Sequence, residues 1–200
     1  MNKFFAVLSI AFICLASQPA HAETYDECMS QSDGIVSGMV DTMWAQVDTY
    51  FHQGDYPRIC ALDRVITQCD PHFVDCYSTG GWLMDSLGRR ADAEAFYQEG
   101  VRNNPTESAA YYSLGMFYYN TLKDYSAAAA VYKQDVDEAN ADVNDWKMLA
   151  HSYEKLKRID DAVDVLEKAK SRWPNGPAVQ VNLNRDLKLQ QAEKAAEVTH

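Results

Sequence analysis

Basic side chains are scarce in this 200-residue chain, which has 18 Lys and Arg against 29 Asp and Glu and a formal net charge of −11. Proteins that bind nucleic acid need a basic stripe to displace the counterions of the phosphates, and this sequence has none. The same acidity disfavours adsorption to an anionic lipid surface. The composition therefore predicts solubility and a mild preference for basic partners, with no nucleic acid among them.

The sequence motifs of common enzymes and metal sites are also missing. The chain has no Gly-rich phosphate loop, no G-x-S-x-G and no H-E-x-x-H. It has no C-x-x-C, which is both the usual zinc pair and the redox motif. We therefore expect no enzymatic activity, no cofactor and no metal. Single histidines such as His52 and His151 are interpreted as polar contacts rather than as catalytic bases.

A long apolar run occurs only near the N-terminus. Phe4–Leu15 follows a single cation, and Ala20-His21-Ala22 has the small-x-small pattern of a cleavage site. The run is too short to span a bilayer as a helix. Ile13 precedes Cys14 at a position where lipidation requires a small residue, so we expect no lipid anchor. We interpret residues 1–22 as a signal peptide and expect an exported protein, periplasmic or secreted, without stable membrane insertion.

The most regular pattern in the chain lies in Val143–Gly176. Four of its residues have the i, i+3, i+4, i+7 spacing of one apolar helix face: Trp146, Leu149, Ala150 and Tyr153. A second face with the same period follows a short polar turn: Ile159, Ala162, Val163, Leu166 and Ala169. Pro174 and Gly176 end the second helix. The stretch predicts two antiparallel helices that bury their apolar faces only against neighbouring units.

The same pattern recurs upstream with a nearly constant period. Three pairs of residues are each 34 positions apart: Gly54 and Gly88, Gly81 and Gly115, and Pro71 and Pro105. Tyr118 and Tyr153 are 35 apart, whereas Ala128 and Ala162 are again 34 apart. One extra residue therefore lies between Tyr118 and Ala128, and we expect it in a turn.

This pattern resembles the tetratricopeptide-repeat signature W-x2-L-G-x2-Y…A-x3-F…P, with Ala150 at the Gly position and Leu166 at the Phe position. The resemblance runs from about Val40 to the end of the chain and is poorest in the first unit. It implies an all-α fold, a right-handed α-solenoid of about four helical hairpins plus a C-terminal capping helix. The expected organisation is a signal peptide (1–22), a lead-in segment interrupted at Asp33-Gly34 (23–39), four repeats (40–73, 74–107, 108–142 and 143–176) and a capping helix (177–200).

Four cysteines follow the expected signal peptide: Cys28, Cys60, Cys69 and Cys76. An even number in an exported protein suggests two disulfides, and four cysteines allow three pairings. Cys69 would end one helix and Cys76 would lie in the first turn of the next. The repeat register therefore favours Cys69–Cys76 and leaves Cys28 to pair with Cys60. Metal binding and thiol chemistry are the alternatives.

In tetratricopeptide-repeat proteins the first helices of successive repeats line a concave groove that takes a peptide or a helix of another protein. The resemblance implies these partner-binding residues: Trp44, Trp82, Tyr112, Met116, Tyr119, Asn120, Lys147, His151, Lys155 and Arg185. The same face carries acids at one end (Asp41, Asp48, Asp75 and Asp85) and bases at the other (Lys147, Lys155, Arg185 and Lys188). Such a gradient would orient a bound segment. The alternative is that the aromatic side chains pack against adjacent repeats and the charges are merely solvated.

The resemblance implies a non-enzymatic protein–protein interaction scaffold or adaptor of the cell envelope. Large amphipathic side chains such as Trp82 and Tyr112 are typical of contact hot spots. Some family members grip a C-terminal carboxylate with a clamp of Lys, Asn and Arg. Lys147 occupies one clamp position, but His151 replaces the Asn, so we do not expect that activity. The alternative function is a self-associating structural module, a homo-oligomer joined through the capping helix or the first repeat.

Overall fold

The computed structural model describes residues 25–138 and 140–198 of the chain, and these ranges form helices joined by short turns. The expected signal peptide, residues 1–22, lies outside them. Contacts divide the chain into Met1–Ile35 and Val36–His200. The helices are α1 (Tyr25–Gln53), α2 (Tyr56–Cys69), α3 (Val74–Ser86), α4 (Arg90–Asn103), α5 (Ser108–Met116), a π-helical segment (Phe117–Leu122), α6 (Tyr125–Glu138), α7 (Val143–Lys155), α8 (Ile159–Arg172) and α9 (Pro177–Val198).

Each hairpin turns through one residue with positive φ, at Gly54, Gly88, Lys123 and Lys157. Glycine adopts this left-handed conformation at no steric cost, which explains two of the four occupants. In three hairpins the residue after this position donates its backbone N–H to the carbonyl five residues before it, and this bond closes the helix end. The bond from Arg89 N to Met84 O, 2.8 Å long, is one example. The turns therefore recur with the period that the sequence predicts.

The third hairpin departs from this rule because it contains the extra residue. Its turn bond runs from Asp124 N to Tyr118 O, six residues back, at 3.0 Å. The added residue is accommodated by the π-helical segment Phe117–Leu122, in which the backbone is wound more widely than in an α-helix. The insertion expected in the turn therefore lies at the end of the first helix.

Small residues allow the two helices of a hairpin to approach each other. A Cβ atom added to Gly81 would lie 2.5 Å from the ring of Tyr97, and one added to Gly115 would lie 2.5 Å from the ring of Tyr132. In the fourth hairpin Ala150 occupies this position and the ring is replaced by Leu166, both fully buried. Gly80, which precedes Gly81 in α3, is also closely packed. A Cβ there would lie 2.6 Å from Phe96 and 3.0 Å from a carboxylate oxygen of Asp63.

The apolar faces form two packed clusters along the chain. One joins α1 to α5, around Tyr77 and Phe96, and the other joins α6 to α9, around Leu149 and Leu166. Helix α9 contributes Val179 and Leu183 to the second cluster, as expected of a cap. Two other apolar residues of α9, Val181 and Leu189, are 68% and 43% exposed and do not belong to this cluster.

The predicted interruption of the lead-in segment at Asp33-Gly34 is wrong, because α1 runs through both residues without a break. A glycine inside a helix costs only about 1 kcal/mol against alanine, which does not end a helix of this length.

None of the helices in the described ranges is both long and apolar enough to cross a membrane.

The predicted bridge between Cys69 and Cys76 is not formed, since Cys60, Cys69 and Cys76 are free thiols. The two residues do end one helix and begin the next. However, Cys69 is exposed, whereas Cys76 is fully buried and its thiol interacts with the carboxyl of Asp63. Their side chains therefore face different surroundings. The side chain of Cys28 lies outside the described part of the chain, and the Cys60 thiol predicted to pair with it is free.

Candidate partner-binding groove

Three adjoining depressions lie along the first helices of the four hairpins, and together they are called the groove below. The first, about 340 Å³, lies between α1 and α3 and is bounded by Trp44, Phe51 and Trp82. The second, about 300 Å³, lies between α3 and α5 and shares Trp82 with the first. The third, about 540 Å³, lies between α5 and the start of α7 and shares Tyr112 with the second. Trp82 and Tyr112 therefore make the groove continuous.

Helix periodicity explains why these side chains are available. On α3, Tyr77, Leu83 and Met84 are buried in the core, whereas Trp82 points away from it and is 53% exposed. On α5, Tyr111 is fully buried and its neighbour Tyr112 is 37% exposed. A surface helix normally fills such outward positions with charged or polar residues. Large aromatic side chains there leave apolar area for contact with another molecule.

Neighbouring rings hold several groove residues in place. Trp44 packs edge-on against Phe73 with ring centroids 5.1 Å apart, and Tyr112 packs against Tyr132 at 6.3 Å. A hydroxyl pair, Ser78 Oγ and Ser113 Oγ, joins α3 to α5 at 2.8 Å. Preorganised aromatic side chains lose less conformational entropy on binding than mobile ones.

The charge of the groove is negative in each of its three depressions. Asp48 lines the first, Asp85 the second, and Asp142 with Asp145 the third, whereas no Lys or Arg of the described residues lines any of them. Asp85 accepts a hydrogen bond from Thr121 Oγ1 at 3.0 Å and pairs with Arg90 at 3.3 Å. The described part of the chain forms no ion pair with Asp142 or Asp145.

A buried carboxyl pair adjoins the third depression. Ser108 Oγ lies 3.0 Å from Asp135 Oδ2 and 2.9 Å from Asp145 Oδ2, and its single proton can serve only one of them. Burial, with the adjacent Asp145 carboxyl, raises the pKa of Asp135 to about 7, and burial also raises the pKa of Asp145. Asp145 in addition forms a capping box with Asp142 at the start of α7. One of the two carboxyls therefore remains protonated near neutral pH.

Half of the sequence-predicted residues line the groove and half do not. Trp44, Trp82, Tyr112, Met116 and Asn120 line its depressions. Tyr119 lines none of the three, and its ring packs against Tyr125 with centroids 5.2 Å apart. Tyr119 lies within the π-helical segment, and the extra residue there shifts the helix register relative to the other repeats. Lys147, His151, Lys155 and Arg185 also lie outside the three depressions.

Of the four bases predicted at one end of the groove, Arg185 is paired within the chain. Arg185 forms ion pairs with Glu154 and Asp186, and His151 Nδ1 lies 2.9 Å from Glu154 Oε1. Burial alone would raise the pKa of Glu154, but His151 and Arg185 outweigh it and the pKa is lowered. Arg185 is thus committed to carboxylates of its own chain. The three depressions are therefore acidic, and the predicted bases Lys147, Lys155, Arg185 and Lys188 lie outside them.

Several lining residues were not among the sequence candidates. Thr79 lies three residues before Trp82 and Ser113 directly follows Tyr112, and their small polar side chains gave no signal. Asn140 and Asp142 come from the connection before α7, which the repeat positions do not include. Among the described residues, no group of three His, Cys, Asp or Glu side chains is arranged to hold a metal.

Comparison with known proteins agrees with this architecture. The family profile for anaphase-promoting complex, cyclosome, subunit 3 matches residues 89–169. A thermophilic TPR protein of Thermus thermophilus has a similar structure, with a TM-score of 0.54 and 18% identity over 74% of this chain and 81% of its own. The fold is of the tetratricopeptide-repeat type. The expected all-α solenoid is therefore confirmed, and such repeats are generally non-catalytic modules for protein–protein interaction.

Two further structures show the same type of fold. The MamA protein has a TM-score of 0.59 and 18% identity, over 78% of this chain and 85% of that one. PilF of Pseudomonas aeruginosa has a TM-score of 0.58 and 15% identity, over 78% of this chain and 71% of that one. No curated protein matches the sequence. At these identities the likeness concerns the fold alone.

Proposed function

We propose that this protein is a non-enzymatic adaptor that binds a peptide or a helix of a partner protein in the groove. The observation that carries the proposal is the continuity of the three depressions through Trp82 and Tyr112. Aromatic side chains of this size dominate the energetics of protein interfaces when they are central and well supported. Both are central here, and Tyr112 is supported by the buried ring of Tyr132.

The double variant Trp82→Ala/Tyr112→Ala tests the proposal. Both side chains are partly exposed, so we expect unchanged helical circular dichroism and thermal unfolding, together with loss of capture of a partner from native cells. The matched control is Val65→Ala/Leu87→Ala, which removes two exposed apolar side chains outside the groove and should leave capture intact. Capture that survives the groove variant would refute the proposal.

Export to the cell envelope is part of this proposal. Its support is the N-terminal sequence, in which an apolar run precedes Ala20-His21-Ala22. Cell fractionation with N-terminal sequencing of the purified protein tests it. A mature chain that begins at Glu23 in the envelope fraction would agree with export, and an intact Met1 in the cytosol would not.

Self-association is the second candidate function, and one observation favours it. Helix α9 exposes Val181 and Leu189 instead of burying them in the second cluster. Exposed apolar side chains on a terminal helix can join two copies. Sedimentation across a range of concentrations would detect a dimer, and Val181→Ser/Leu189→Ser should abolish it if α9 forms the interface.

A further inference from the structure

We propose that the segment bound in the groove is basic and apolar, with Lys or Arg side chains that alternate with aliphatic or aromatic ones. This inference rests on the proposed function and specifies the partner of the same site. It does not require a free C-terminal carboxylate. The charges and rings that line the three depressions support it.

Each depression combines an aromatic wall with at least one carboxylate. Trp44 and Trp82 accompany Asp48 in the first, and Tyr112 accompanies Asp85 in the second. A Lys or Arg head group gains both from an aromatic face and from a carboxylate. Asp48 has a side chain 78% exposed and can therefore meet an incoming cation without rearrangement.

The third depression extends this pattern toward α7. It is the largest of the three, and Asp142 at its edge is exposed, with Asn140 and Asn144 beside it. Asp145 is 2% exposed, and its Oδ1 has no hydrogen-bond partner among the described residues. A cation in this depression would offset the carboxylates of Asp142 and Asp145. The chain itself supplies no such cation within the described part.

The cations near the groove do not favour an acidic ligand. Arg185 is paired with Glu154 and Asp186, and neither Lys147 nor Lys155 lines a depression. An acidic segment would therefore meet a carboxylate in each depression, of which only Asp85 is paired with a Lys or Arg of the described residues, Arg90. Like charges at an interface exclude wrong partners. The net charge of −11 adds a long-range attraction for basic segments in the same direction.

Labelled peptides with alternating residues test the inference by fluorescence anisotropy at low salt. The probes are a Lys–Leu peptide, a Glu–Leu peptide and a Lys–Ser peptide of equal length. We expect the Lys–Leu peptide to bind about tenfold more tightly than either of the others. A Glu–Leu peptide that binds as well as the Lys–Leu peptide would overturn the inference.

Charge-neutralised variants separate local recognition from the overall charge. The groove variant is Asp48→Asn/Asp85→Asn/Asp142→Asn, in which Asn still caps α7. We expect it to weaken Lys–Leu binding about tenfold, since each of the three charges contributes modestly. The control, Asp92→Asn/Asp137→Asn/Asp164→Asn, removes the same charge from the second helices and should change binding less than about twofold. Equal loss in both variants would show attraction by net charge alone and would overturn the inference.

The single variant Asp48→Asn provides the same test at an exposed site if the triple variant loses its helical signal. It should weaken Lys–Leu binding about two- to threefold, and no change would count against the inference. Failure of the inference differs from failure of the proposed function. If capture of a native partner depends on Trp82 and Tyr112 but binding shows no preference for basic peptides, only the inference fails.

Discussion

Gly115 lies against the buried ring of Tyr132, where an added Cβ atom would stand 2.5 Å from Cζ. Ala150 and Leu166 occupy the equivalent positions in the next repeat, and both are fully buried. The hairpins therefore fill the same crossing in two ways, with a glycine beneath a ring or with an alanine beside a shorter side chain. The spacing of the helices depends on this pairing.

Gly115→Ala should lower the free energy of unfolding by about 1–3 kcal/mol, because the ring of Tyr132 cannot move aside in a packed core. In a Tyr132→Leu background the same change should cost much less, since that pair exists at Ala150 and Leu166. Urea denaturation of the four proteins of this cycle measures the coupling. Gly38→Ala is the control, since nothing lies within 4 Å of its added Cβ, and it should be neutral or stabilising. An equal loss from Gly115→Ala in both backgrounds would contradict the packing described.

The carboxyl of Asp63 makes stability depend on pH. Burial raises its pKa to about 7, although the nearby Cys76 thiol lowers it slightly, and neither oxygen has a conventional hydrogen-bond partner among the described residues. Between about pH 4 and pH 7 the folded protein keeps a proton that the unfolded chain has lost. The contribution of this group to stability is therefore full below pH 4 and falls as the pH rises to about 7.

Asp63→Asn removes this titration and keeps the shape of the side chain. We expect the variant to unfold at higher urea concentrations than the wild type at pH 8, by a free energy of about 4 kcal/mol at most, and the difference to shrink at pH 5. Asp137→Asn, which neutralises an exposed carboxyl paired with Lys133, is the control for the lost charge. A variant less stable than the wild type at pH 8 would mean that the ionised carboxylate has a partner that stabilises it.

The three free cysteines of the described part of the chain should differ in reactivity. Burial raises the pKa values of Cys60 and Cys76, and the negative charge of Asp63 raises both further, whereas Cys69 is exposed. Because the thiolate is the reactive form, pulse alkylation of the native protein followed by peptide mapping should label Cys69 first. Cys60 and Cys76 should react only after denaturation. Resistance of Cys69 and Cys76 to alkylation in denaturant without reductant would instead reveal the bridge predicted from the sequence.

The regular part of the fold could be predicted because it depends on local spacing. The 34-residue period pairs Gly54 with Gly88, which the structure places in successive hairpin turns, and the one irregular interval indicated approximately where the π-helical segment lies. The sequence could not show that the extra residue lies in the first helix rather than in the turn, because a wider helical winding and a longer turn both add one residue to the repeat. The continuity of α1 through Gly34 was missed because a single glycine was given too much weight.

The groove was harder to predict because its charges are set by distant contacts. Arg185 is neutralised by Glu154, 31 positions away in the sequence, and no local pattern indicates that pair. Asp142 lines the third depression from a connection outside the repeat positions. Trp82 and Tyr112 were found because they are large, outward-facing and in register with the repeat. The sequence therefore indicates the aromatic residues of the groove better than its electrostatics.

Photo-crosslinking from inside the groove is the most direct test of the central claim. A benzophenone amino acid is placed at Trp82 in one variant and at Val65, on α2 and outside the groove, in another. Native cells that express each variant are irradiated, and the adducts are identified by mass spectrometry. The account predicts a discrete adduct with a partner protein from position 82 and none from position 65. An adduct from position 65 without one from position 82 would contradict it.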